Sequence, residues 1–224
     1  MLLTLVAKDL LLELRTKAGI TFIISLSVVL SVVIAFGVNS AFLDTQHVQK
    51  IFPSLMWIVF FLTSTIVLGK SYDSELENKA IDGLILAGVS PSILYLSKVI
   101  SNFFISFLGH MVSVVMLALL LDISIGSLIF KIIILSALVI FAFSALTCIT
   151  VYISSSSKAK NLLLPLILLP LLFPCYFAAM ELSYPIFLAN TLDFESTWMS
   201  LLIGMNVVYI VLGINLFPSL LRSE

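Results

Sequence analysis

The groups in this 224-residue sequence with chemical potential are two histidines, two cysteines and twelve carboxylates. Their spacing narrows what they can do. His47 and His110 stand far apart, each without a second ligand at metal spacing. Cys148 and Cys175 both sit inside apolar runs, where a thiol is a small packing residue rather than half of a disulfide. The phosphate-cradling pattern G-x-x-x-x-G-K-[ST] does not occur, nor do H-E-x-x-H or G-x-S-x-G. ATP binding by that route and those two hydrolytic chemistries are therefore excluded. What remains is a concentration of acids, Asp73, Glu75, Glu77 and Asp82, within the polar stretch from Lys70 to Pro91. Beside them Leu76, Ala80, Leu84 and Ile81 recur at helical spacing, so a short amphipathic helix is expected there. Such a helix has no core of its own and needs the membrane surface or a partner protein to cover it.

The elements that position this stretch are apolar. Hydrophobic residues make up 61% of the chain and charged residues 10%, with a net charge of −1 and a mean hydropathy of +1.24. Soluble domains carry about a quarter charged residues, and nucleic-acid binding has no electrostatic basis at this charge. Crossing a bilayer takes about 20 apolar residues of helix, because lipid cannot satisfy open backbone groups. Six windows free of Asp, Glu, Lys and Arg meet that length, giving expected spans near 18–43, 51–69, 99–121, 127–153, 161–180 and 197–220. The fold class is thus an all-α integral membrane protein in one domain, residues 1–224. No carboxylate lies within the six windows, so a proton or sodium relay of that type has no visible carrier. Energy for transport would have to come from outside the chain.

Lys8, Arg15, Lys17, Lys70, Lys79, Lys98, Lys158, Lys160 and Arg222 all fall on one side if the N-terminus is cytoplasmic, against Lys50 and Lys131 on the other. The positive-inside rule then places both termini and the 70–98 loop in the cytoplasm, and the loop from Glu181 to Thr197 outside. Residues 1–17 contain Asp9 and Glu13, so they are no cleavable signal. Leu3, Val6, Leu10 and Leu14 recur at helical spacing, with Thr4, Lys8, Asp9, Glu13 and Arg15 largely opposite. This suits an interfacial helix on the membrane surface, or else a solvated extension of span one. Pro165, Pro170 and Pro174 oppose a straight fifth span, so a kink or break is expected there, serving as a hinge or as static packing.

Three blocks carry a family resemblance: Pro53–Ile58 through Leu68, Tyr72, Asp73, Leu76, Asp82, Leu84 and Leu86 to Lys98; the opening Lys8–Arg15; and the basic loop followed by Leu162–Pro170. In order and spacing they resemble the heme exporter protein B family of cytochrome c maturation, six-span permease subunits of an ABC-type complex in bacterial inner membranes and some mitochondria. Gly69, Asn78-Lys79 and Asp82 depart from that pattern, and the proline expected near Gly88 is displaced to Pro91. The resemblance implies a transport subunit rather than an enzyme, with ATP bound and hydrolysed by a separate ATP-binding cassette subunit. It implies docking of that subunit on the cytoplasmic coupling loop, at Tyr72, Asp73, Glu75, Leu76, Glu77, Asp82 and Leu84. It further implies a heme-handling membrane subunit, a small single-span subunit and, indirectly, a periplasmic heme chaperone whose heme-loaded form is released on hydrolysis. Heme is then cargo. If the chain itself ligates the iron, His110 and His47 are its imidazoles; otherwise His110 bonds another helix and His47 is a solvated polar residue. The same architecture also suits a lipid, polysaccharide or drug as cargo. A membrane-embedded enzyme would need polar catalytic residues clustered at one interface, and no such cluster is visible.

Overall fold

A computed structural model describes residues 1–16, 18–41, 44–77, 83–84, 88–155 and 160–220. All seven elements among them are helices: α1 (Leu2–Thr16), α2 (Ala18–Ser40), α3 (Thr45–Glu77), α4 (Pro91–Leu120), α5 (Ile129–Ser155), α6 (Lys160–Ala189) and α7 (Thr197–Leu220). The last six are each long and apolar enough to cross a membrane. Six crossings place both termini on one side, the terminal side.

Helix α5 is the axis of the bundle. It is the most enclosed of the six spans and packs most broadly against α4, α6 and α7. Its hydroxyls are absorbed locally: Thr147 donates to the Phe143 carbonyl at 2.7 Å, and Thr150 to Leu146 and Thr147. Back-bonding of this kind lets polar residues sit inside an apolar helix. Helices α2 and α4 meet at Ile23, which packs with Ile105 and against Gly109. Ile23, Ser27, Ser31 and Ala35 form one buried line on α2, and Ile23 lies so close to Gly109 that a Cβ there would be 2.6 Å from its Cγ1. Lipid gives helices no hydrophobic reason to associate, so close backbone approach of this kind supplies the attraction.

Several boundaries differ from those read off the sequence. Gly88 adopts a left-handed φ of 83°, and Ser90, extended at φ −68°, leads into Pro91 at the first position of α4. A proline there loses no helical hydrogen bond, so it opens the helix rather than merely closing the preceding loop. Span three therefore starts eight residues before Val99, and Lys98 is inside the helix and buried. Helix α6 runs unbroken past Met180 to Ala189, so the segment from Glu181 to Ala189 is helix and the following loop is residues 190–196. Glu181 consequently lies inside the fifth apolar span, Leu166–Ala189, which corrects the expectation of spans free of carboxylates. At its end Asn190 takes a left-handed φ of 50°. The Lys131 ammonium donates to the Asn190 carbonyl at 2.6 Å and its Oδ1 at 2.5 Å. Lys131 thus caps α6, where the helix dipole favours a cation.

Candidate functional site

The polar side chains that join helices fall at two levels. The first is on the terminal side, where the acidic stretch begins. Helix α3 does not stop with its apolar run, which the sequence carries to Gly69, but continues to Glu77. Its 33 residues make about 50 Å at 1.5 Å per residue, against about 30 Å of hydrocarbon. Tyr72, Asp73, Glu75, Leu76 and Glu77 therefore ride on a helical arm continuous with span two, of which the backbone is described. Asp82 lies outside the described residues. Leu84 is half-buried against the hydrophobic core, and its carbonyl accepts a 3.1 Å bond from the Val89 N–H.

Beyond that loop, the base of α4 is held by charge. Lys98 Nζ is 3.0 Å from Asp9 Oδ2, with both side chains less than a tenth exposed. The half-exposed Lys8 lies 3.2 Å from Asp9 Oδ1. Asp9 thus turns inward from α1, together with Leu5 and Val6, while Leu3, Leu11, Leu12 and Leu14 are exposed. The expected apolar stripe of Leu3, Val6, Leu10 and Leu14 is divided between the two faces, because a tertiary ion pair decides which side of α1 is inside. Periodicity cannot reveal that. The available signal was an unpaired acid beside one apolar run and a lysine beside another, since charges that near a membrane core demand partners.

Tyr95, one turn before Lys98, completes this end. Its hydroxyl is within 3.1 Å of the Ala145 carbonyl and 3.2 Å of the Tyr209 carbonyl, tying α4 to α5 and α7. Its ring fills the space that a side chain at Gly213 would need. The Tyr209 hydroxyl in turn donates to the Leu171 carbonyl on α6. Neither tyrosine nor Gly213 stood out in the sequence.

The second level lies within the bundle. His110 is 1% exposed, with Nε2 3.0 Å from Ser136 Oγ on α5. Its ring stacks on Trp57 at 4.9 Å and meets Phe60 edge-on at 5.1 Å. Trp57 donates to Ser183 Oγ at 2.9 Å, so α3, α4, α5 and α6 meet through one histidine and one tryptophan. His110 Nδ1 has no partner among the described residues. Through Ser136, His110 makes an interhelical hydrogen bond. His47 lies on the opposite rim, where it bonds the exposed Asp44 carboxyl and holds it below the usual carboxylate range by that hydrogen bond. Among the described residues no three His, Cys, Asp or Glu side chains gather as a metal site.

Six helices long and apolar enough to cross a membrane, knit inside by shared hydrogen bonds and extended at one end by a helical arm, define a polytopic membrane protein. The chain belongs to the CcmB protein family, whose model matches residues 1–223. It is an ABC-type permease subunit of cytochrome c maturation and heme transport. No curated protein matches it.

Proposed function

We propose that the chain converts ATP hydrolysis, carried out by a separate cassette subunit docked on its 70–98 loop, into movement of spans two and three that drives release of the heme-loaded chaperone outside. The observation that carries this reading is the continuation of α3 from its apolar span to Glu77. A force applied to a helix at its end reaches the bilayer only if the helix is unbroken, and here about 12 Å of arm extends past Gly69. Asp73, Glu75 and Glu77 give the arm its charge, with Tyr72, Leu76 and Asp82 beside them as docking residues. Leu84 acts by anchoring the far end of the loop. Heme is the cargo, and the chain's termini are cytoplasmic in a bacterial inner membrane, as the cation distribution favours. Helix α1, held by Asp9 and with four exposed leucines, lies at the same interface.

Affinity purification from detergent-solubilised membranes tests the docking. Wild type should bring down an ATP-hydrolysing subunit, whereas Asp73→Lys, Glu75→Lys, Glu77→Lys together should lose at least about 90% of it, with the chain still inserted. Equal recovery by both would remove the docking surface from this loop.

A further inference from the structure

Glu181 lies on the outward line of α6 with Phe173, Phe177 and Leu188, which are 56%, 45% and 55% exposed. It is itself exposed and has neither hydrogen-bond nor ion-pair partner among the described residues. Nine residues separate it from Asn190, where Lys131 caps the helix, or about 13 Å along the axis. Subtracting an interfacial layer of about 5–8 Å leaves the carboxylate facing hydrocarbon, and its two methylenes are too short to carry it out. A charge so placed is strongly unfavourable unless something covers it, and protonation would still leave an unmet donor. Directly along the same face, toward the terminal side, α3 and α6 enclose an apolar groove of about 230 Å³. Ile58, Leu62, Leu169, Phe173 and Tyr176 line it.

We infer that this groove and Glu181 together seat a transmembrane helix of another subunit, one that carries a lysine or arginine at the depth of Glu181. A second copy of this chain does not supply that cation. Of its two cations on this side, Lys131 is engaged by Asn190. Lys50 lies closer to the rim, as Phe52 against Phe187 and Trp57 bonded to Ser183 fix the register of α3 on α6. The inference rests on the proposed function only in that the chain works beside other membrane subunits.

The experiment places a photoreactive p-benzoylphenylalanine at Phe177 in the intact, detergent-solubilised complex and maps the adducts by mass spectrometry. The adduct expected is with a membrane span of another subunit containing Lys or Arg. Glu181→Arg should reduce it at least about tenfold, and changing the mapped cation to Glu should restore it. Because Glu181→Arg could fail to fold, neutralising the mapped cation in the wild-type background must also reduce the adduct several-fold. Adducts only with lipid, adducts with a second copy of this chain, or adducts indifferent to both charge changes each overturn the inference. Retention of the ATP-hydrolysing subunit alongside such a failure would show that the docking loop survives while this face does not.

Discussion

Gly213 has no room for a methyl group, because the Tyr95 ring occupies the position of its Cβ. Overpacking at such a site costs about 1–3 kcal/mol, so Gly213→Ala should lower the thermal unfolding temperature in detergent. Tyr95→Leu should relieve the clash in the double variant, whereas Tyr95→Phe, which keeps the ring, should not. Asp9 and Lys98 pose a different problem. Deleting one member of a buried ion pair costs about 3–5 kcal/mol, while replacing both with apolar residues is often neutral. Asp9→Ala should therefore destabilise strongly, and the pair Asp9→Leu, Lys98→Met should recover most of the loss in the same measurement. If the double change is as damaging as the single one, the pair is not what fixes α1 to α4. For His110, a bond to Ser136 and a stack on Trp57 together are worth about 1–3 kcal/mol. His110→Leu should lose that much by denaturant titration in micelles, and His110→Gln less.

At the scale of elements, what the sequence made legible followed from the bilayer. Helices α2 to α7 each overlap one expected window over most of its length, since about 20 apolar residues are read the same way in any context. Helix ends were harder to read, because a charge was taken as a boundary. Lys98 and Glu181 both lie inside helices, one paired with Asp9 and the other facing outward from α6, and neither condition is visible along the chain. Pro91 ended a loop in the sequence and began a helix in the structure, and Pro170 and Pro174 did not break α6. The candidate docking residues followed from the family resemblance. Their mounting on an extension of span two, rather than on a detached helix, was not visible, because Gly69 and Lys70 resembled a span terminus. That continuity can be tested directly. A proline inside a helix costs about 3 kcal/mol and interrupts the rod, so Lys70→Pro should leave the ATP-hydrolysing subunit bound but uncouple it. Purified complex would then retain ATPase activity while cells form little mature cytochrome c. Normal maturation in that variant would mean that the arm transmits no force.

Across the whole molecule, the buried contacts divide the labour. Tyr95, Asp9 and Lys98 bind the base of span three to α1, α5 and α7, close to where the acidic arm and loop enter the bundle. His110 and Trp57 join four helices nearer its middle. On the proposed mechanism, a push at the arm meets this tightly tied base and is carried inward through α3 and α4. The family match over residues 1–223 gives this machinery its setting in cytochrome c maturation. The most direct measurement is the amount of cytochrome c with covalently attached heme in cells lacking this chain, compared after return of wild type or the Asp73→Lys, Glu75→Lys, Glu77→Lys variant. The account predicts loss on deletion, restoration by wild type and failure of the variant. Undiminished heme attachment without the chain would contradict it.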